Sequence, residues 1–228
     1  MIKSSMPLCT LLLLLMSSPL HAGDIVDRIV ATVNGHAILQ SDWEDALHYE
    51  AFIAAHSSEQ LTFADRKVAL DRLIDQELLR QQIRPADFQH ASDQEIAARI
   101  QEIRRQYPGA DSDSGWYAAL SHYRLTEKEL KNRVALQLDL LRLVDARLRP
   151  TVQIDSKSIA SYYNQELLPQ LRQSGAQQIP LAQASPKIKE LLTQRKIDQL
   201  LTAWLQTLRT GSEIRTQPAT PELGSEAR

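Results

Sequence analysis

The sequence predicts a mainly α-helical fold: a multi-helix module with a small N-terminal β-hairpin and one short C-terminal strand. Three observations carry this. Apolar residues recur at helical spacing in successive stretches between residues 43 and 208. Several of those stretches open with Ser or Thr followed three residues later by Glu, the capping-box signature of a helix N-terminus. The strong β signal is confined to residues 28–40, and no strand–helix–strand rhythm follows it.

The hairpin comes first. Arg28-Ile29-Val30-Ala31-Thr32-Val33 is rich in β-branched residues, and Asn34-Gly35 supplies the two positive-φ positions of a type I′ turn. His36-Ala37-Ile38-Leu39 forms the return strand. Ser41 with Glu44 is then expected to cap a helix carrying Trp43, Leu47, Phe52 and Ile53 to about His56. Thr62, with Asp65 in the first turn, opens a second helix through Leu70, Leu73, Ile74 and Leu78, ending before Arg84-Pro85. Ser92 and Glu95 launch a third, with Ile96, Ile100, Ile103 and Tyr107 on one face until Pro108-Gly109. A short helix is expected over residues 116–123.

Thr126 and Glu129 start what reads as the longest helix, with the stripe Leu130, Val134, Leu138, Leu141, Val144 and Leu148, closed by Pro150. Asp155 caps a short helix through Ile159, Tyr162, Tyr163 and Leu167 up to Pro169, and residues 170–184 read as irregular. Ser185-Pro186 is an N-cap with proline at the first helical position. The last helix carries Ile188, Leu191, Leu192, Ile197, Leu200, Leu201, Trp204, Leu205 and Leu208 to a C-cap at Gly211. Glu213-Ile214-Arg215 forms the short strand, and residues 216–228, with Pro218, Pro221 and Gly224, read as a disordered tail.

The N-terminus points to export. Lys3 precedes the apolar run 11–16, and Ser17-Ser18-Pro19-Leu20-His21-Ala22 leads to a small residue, the layout of a signal peptide cleaved between Ala22 and Gly23. The apolar stretch 8–16 is far short of the roughly 20 residues that span a bilayer. Cys9 is the only cysteine and leaves with that segment, so the mature chain must hold itself by its core, without disulfides. Stable membrane insertion is not expected.

Composition narrows the function. With 26 basic and 28 acidic residues the net charge is −2, which excludes a strongly basic nucleic-acid footprint. The seven glycines form neither a phosphate-cradling loop nor a dinucleotide fingerprint, and there is no Gly-x-Ser-x-Gly elbow. His48 and His56 lie about 12 Å apart at 1.5 Å per residue, too far to share a metal. A zinc site needs three or more protein ligands, so neither metal nor cofactor is expected. Carboxylate pairs fall in first turns or on polar faces, where the helix dipole and water account for them. Trp43, Trp116 and Trp204 fall on apolar stripes and read as core. Tyr107, Tyr117, Tyr123, Tyr162 and Tyr163 suit either a core edge or a wet binding surface, and are the candidate client contacts.

The stretch 26–42, Val-Asp-Arg-Ile-Val-Ala-Thr-Val-Asn-Gly-His-Ala-Ile-Leu-Gln-Ser-Asp, resembles the opening of SurA-type periplasmic chaperones. Leu73-Ile74-Asp75-Gln76-Glu77-Leu78-Leu79 is similar to that family's next helix, and residues 188–214 to its final helix and strand. The resemblance implies that the last helix folds back on the N-terminal helices and that Glu213-Ile214-Arg215 joins the hairpin. A third strand also helps a hairpin that alone would be marginal. Full-length members carry a parvulin-type prolyl-isomerase domain between these parts. Here about 35 residues separate them, below the usual domain floor of about 50.

The expected organisation is therefore a signal peptide (1–22), a SurA-like helical domain (23–215, formed by 23–168 with 185–211 and 213–215) and a tail. The expected function is ATP-independent, non-enzymatic, periplasmic holding of unfolded exported polypeptides, outer-membrane precursors among them. The alternatives are prolyl isomerisation and a periplasmic adaptor with one folded partner. Oligomeric state is not legible.

Overall fold

The computed structural model describes residues 27–55, 62–84 and 88–217. The signal peptide with its cleavage position at Ala22 and Gly23, His56 and residues 218–228 lie outside the described residues.

Strands β1 (Ile29–Val33) and β2 (His36–Leu39) pair antiparallel, with Val33 opposite His36. The turn is as the sequence requires: Asn34 has φ 52° and Gly35 φ 83°, the left-handed values that Asn-Gly tolerates. Strand β3 (Ile214–Thr216) pairs antiparallel with β1, setting Val33 opposite Ile214 and giving the order β2-β1-β3. The C-terminal strand thus joins the hairpin, as expected. It lies one residue later than the sequence reading, so Glu213 precedes the strand, Thr216 belongs to the sheet and the Gln217 amide still donates to Val30 O at 3.0 Å.

Helix α1 (Gln40–Ile53) follows the hairpin without a break. Its cap corrects the sequence reading. The Leu39 amide donates to Asp42 Oδ2 at 2.9 Å, and Ser41 instead bonds Asp27, its amide lying 3.2 Å from Oδ1. Because β2 leads directly into the helix, the first turn begins two residues before the reading placed it, and the box shifts with it.

Helices α2 (Phe63–Arg80), α3 (Asp93–Arg104), α4 (Asp113–His122) and α5 (Glu127–Leu148) come next. Thr62, Ser92 and Thr126 each accept an N3 amide while the N3 carboxylate of Asp65, Glu95 or Glu129 receives the cap amide. On α5 the stripe departs from expectation at one place: Leu141 is 60% exposed, whereas Leu140 is buried. Beyond its midpoint this helix packs on the C-terminal helix, and Leu140, Val144 and Leu148, four residues apart, form that seam.

The link carries the short helix expected after Asp155; of the stretch read as irregular, residues 170–173 and 181–184 are helical and 174–180 are not. Asp155 caps α6 (Ser156–Tyr162), a wide π-type turn (Tyr163–Leu167) continues it, and α7 (Leu168–Gln173) carries Pro169 in its first turn. Helix α8 (Leu181–Thr210) is the longest in the fold at 30 residues, against 22 for α5. Ser185-Pro186 does not cap it; Pro180 does, and Pro186 sits inside the second turn. Proline there forgoes one backbone bond close to the free N-terminal end, where the loss is smallest, and buried Ala184 and Ile188 on either side of it favour the helix.

The core falls into three linked clusters. Phe52, Trp116, Leu130 and Val134 centre the first, where α1, α3, α4 and α5 meet. The sheet residues Val30, Val33 and Ile38 pack on Ile74 and Leu78 of α2 in the second. Leu79, Leu140, Val144, Leu148 and Ile197 form the third, between α2, α5 and α8. Leu208 of α8 touches both the second and the third.

Candidate binding groove

Packing α8 across α5 leaves a groove on one side of the seam. Its wider part, ≈ 740 Å³, is lined by Phe88, Leu138, Leu141, Arg142, Val144 and Ile197. A second cavity of ≈ 240 Å³, reaching Leu79, Leu136, Leu140 and Leu201, shares Leu141, Val144, Gln194 and Ile197 with it. The two are one apolar channel along α5, and Leu141 stands at their boundary.

One wall is held by charge. Arg142 donates to Gln89 O at 3.0 Å and His90 O at 2.7 Å, and also pairs with Glu95. Asp139 accepts the Ala91 amide at 2.7 Å and lies 2.6 Å from His90 Nδ1. These bonds hold the segment carrying Phe88 against α5. Ser92, through its hydroxyl and its amide, and then Arg142 hold the Glu95 carboxyl down at about 2, so this latch stays charged across the neutral range.

At its far end the channel meets a third cavity, ≈ 360 Å³, lined by Arg72, Arg99 and Arg133 against a single carboxylate, Glu50. Tyr49, Gln76, Arg133 and Gln137 border both. Burial holds the Arg133 guanidinium below the usual arginine range, opposed by the charges of Asp45, Tyr49, Asp42 and Glu129. Burial likewise pushes the Tyr49 hydroxyl up.

The five candidate tyrosines occupy three separate places. Tyr107 stacks on Phe52 with centroids 4.6 Å apart and donates to Phe52 O, while Tyr123 meets the same ring edge-on at 5.5 Å. Tyr117 is 51% exposed on α4, its hydroxyl 3.3 Å from Glu127. Tyr162 lies under Arg195 of α8 at 5.1 Å, and Tyr163 donates to Ile179 O at 2.6 Å. None of the five borders the channel along α5.

The sequence reading missed Arg133. The signal was its place three residues after Leu130 and three before Leu136, which sets a cation on the flank of the apolar stripe rather than on the solvent face. Among the described residues there is no group of three or more His, Cys, Asp or Glu side chains that could hold a metal ion, and no helix long and apolar enough to cross a membrane.

A family model for the SurA-like N-terminal domain matches residues 8–144, well over half of the chain. The chain belongs to this family. The match ends inside α5 at Val144, so α6, α7, α8 and β3 of the SurA-like chain lie beyond it. The domain is a non-catalytic module of a chaperone-type family that is periplasmic in general. No curated protein matches the SurA-like chain closely enough to add a relative.

Proposed function

We propose that this SurA-like protein is an ATP-independent periplasmic chaperone that holds extended segments of unfolded exported polypeptides, outer-membrane precursors among them, without catalysis. The observation that carries the reading is Leu141, a large aliphatic side chain 60% exposed at the centre of the channel between α5 and α8. Apolar surface concentrated in a groove with polar rims marks a binding site more often than chance exposure does. Weak grip on short apolar segments, with Gln194 and Arg142 on the rim, suits a holder that releases clients without a nucleotide. Export by cleavage between Ala22 and Gly23, and one domain over residues 23–215, belong to the same proposal.

Purified mature protein, without ATP, is expected to slow light-scattering growth of a chemically unfolded client at stoichiometric excess. Leu141→Glu is expected to weaken this at least several-fold while the far-ultraviolet circular dichroism stays unchanged. No suppression by the parent protein would defeat the proposal. Full suppression by a folded Leu141→Glu protein would move the site elsewhere, to the surface near Tyr117 or to that near Tyr162 and Tyr163.

A further inference from the structure

Arg133, half-buried, stands where the channel and the third cavity meet. Its guanidinium lies over the Tyr49 ring, 5.5 Å from the centroid, and makes no hydrogen bond or ion pair with any described residue. Its neighbours at the same cavity are occupied: Arg72 pairs with Glu50 at 2.8 Å and Arg99 with Glu102 at 2.8 Å. Asp42, Asp45 and Glu129 line a further cavity with Arg133 and act on it without approaching to ion-pair distance. A partly buried cation without a counter-ion carries a desolvation cost that an incoming anion offsets.

The surroundings specify the anion. On one side of Arg133 the cavity carries three arginines and one carboxylate; on the other it opens into the aliphatic channel of Leu136, Leu140, Ile197 and Leu201. Gln76 and Gln137, which border both halves, offer amide donors and acceptors at the junction. A ligand complementary to all three parts has a carboxylate, an adjacent peptide group and then apolar side chains. The cationic half, ≈ 360 Å³, lies within the usual range of ligand pockets.

We propose that the groove recognises the free C-terminal carboxylate of a polypeptide with apolar last residues, the carboxylate pairing with Arg133 between Arg72 and Arg99 and the side chains lying in the channel along α5. This rests on the polypeptide-holding reading above and names the end of the chain that is gripped. A planar guanidinium suits a carboxylate because it donates two parallel hydrogen bonds.

The test uses the full mature chain and a short peptide, labelled with fluorescein at its N-terminus and ending in Val-Leu, as free acid and as amide. Fluorescence anisotropy is expected to show the acid binding about tenfold tighter than the amide, the ratio one charge-assisted hydrogen bond supports. Arg133→Gln is expected to erase the ratio, Arg133→Lys to keep part of it, and added salt to weaken the acid alone. Should Arg133→Gln unfold, Arg72→Gln with Arg99→Gln supplies the readout, shrinking the ratio without touching Arg133.

Equal affinity for acid and amide, with aggregation still suppressed, overturns this inference and leaves the holding function standing. An amidated peptide with an internal Glu that binds as tightly as the acid overturns it in favour of an acidic side chain. Displacement by a fatty-acid anion in the absence of any peptide binding overturns it in favour of a lipid. Loss of aggregation suppression in the parent protein instead removes the function on which it rests.

Discussion

Glu77 is buried at 8% exposure on α2, its carboxylate held by Arg80 at 2.7 and 2.8 Å and by Gln81 at 2.7 Å. Burial works against its ionisation, but the Arg80 and Gln81 hydrogen bonds prevail and hold the carboxyl below its ordinary value of 4.5. A carboxylate whose pKa is lower folded than unfolded stabilises the fold above the unfolded value. That contribution is lost as pH falls through the folded one. Stability is thus expected to decline progressively below pH 4.5, the ordinary value of this group. Glu77→Gln is expected to cost about 1–3 kcal/mol at neutral pH, the worth of hydrogen bonds to a charged group, and to make the acid decline shallower. Urea midpoints from neutral pH to about pH 3 check both; an unchanged acid slope would show that other carboxylates govern it. Glu77 was legible only as a residue of the second helix. Its burial follows from where the hairpin lies on α2, which periodicity does not report.

At the scale of elements, Asn34 ties the two ends of the described chain together. Its side-chain amide donates to Gln81 at 2.7 Å and Ser212 at 3.2 Å, its carbonyl accepts the Glu213 amide at 2.9 Å, and its backbone amide donates to Glu213 O at 2.8 Å. The sequence identified Asn34 for its left-handed backbone alone. Asn34→Gly keeps that backbone and deletes the side-chain bonds, so the two roles separate. Stability is expected to fall by about 1–2 kcal/mol, with faster hydrogen exchange at Glu213 and an intact hairpin. Unchanged exchange there would mean that β3 is held by its ladder to β1 alone. The capping boxes at Ser92 and Thr126 were readable because they involve only neighbours in sequence. The box at Ser41 and the Ser185-Pro186 cap misled because the β2-to-α1 junction and the early start of α8 override local chemistry.

The whole molecule carries one tryptophan in or against each packing cluster. Trp116 is buried in the first, Trp43 packs on the sheet cluster, and Trp204 lies in the third with Arg147 over its ring at 4.5 Å. α5 spans the first and third clusters, and Leu208 of α8 bridges the second and third. The clusters therefore share elements and should melt together. Urea unfolding followed in variants that each retain a single tryptophan is expected to superimpose on the circular dichroism transition. A Trp43 transition well separated from the Trp116 one would mean that the sheet end opens as its own unit.

The sequence by itself determined the helical class, the hairpin with its turn, the helix starts at Thr62, Ser92, Thr126 and Asp155, and the family, because each depends on residues a few positions apart. It placed the C-terminal strand to within one residue and, through resemblance, its partner. Tertiary structure alone decided which leucine of α5 stays outside, that residues 170–173 and 181–184 are helical, and that Arg133 faces a cavity without an ion-pair partner among the described residues. Those outcomes depend on how α8 lies across α5, and helix-on-helix packing is set by side chains far apart in the chain.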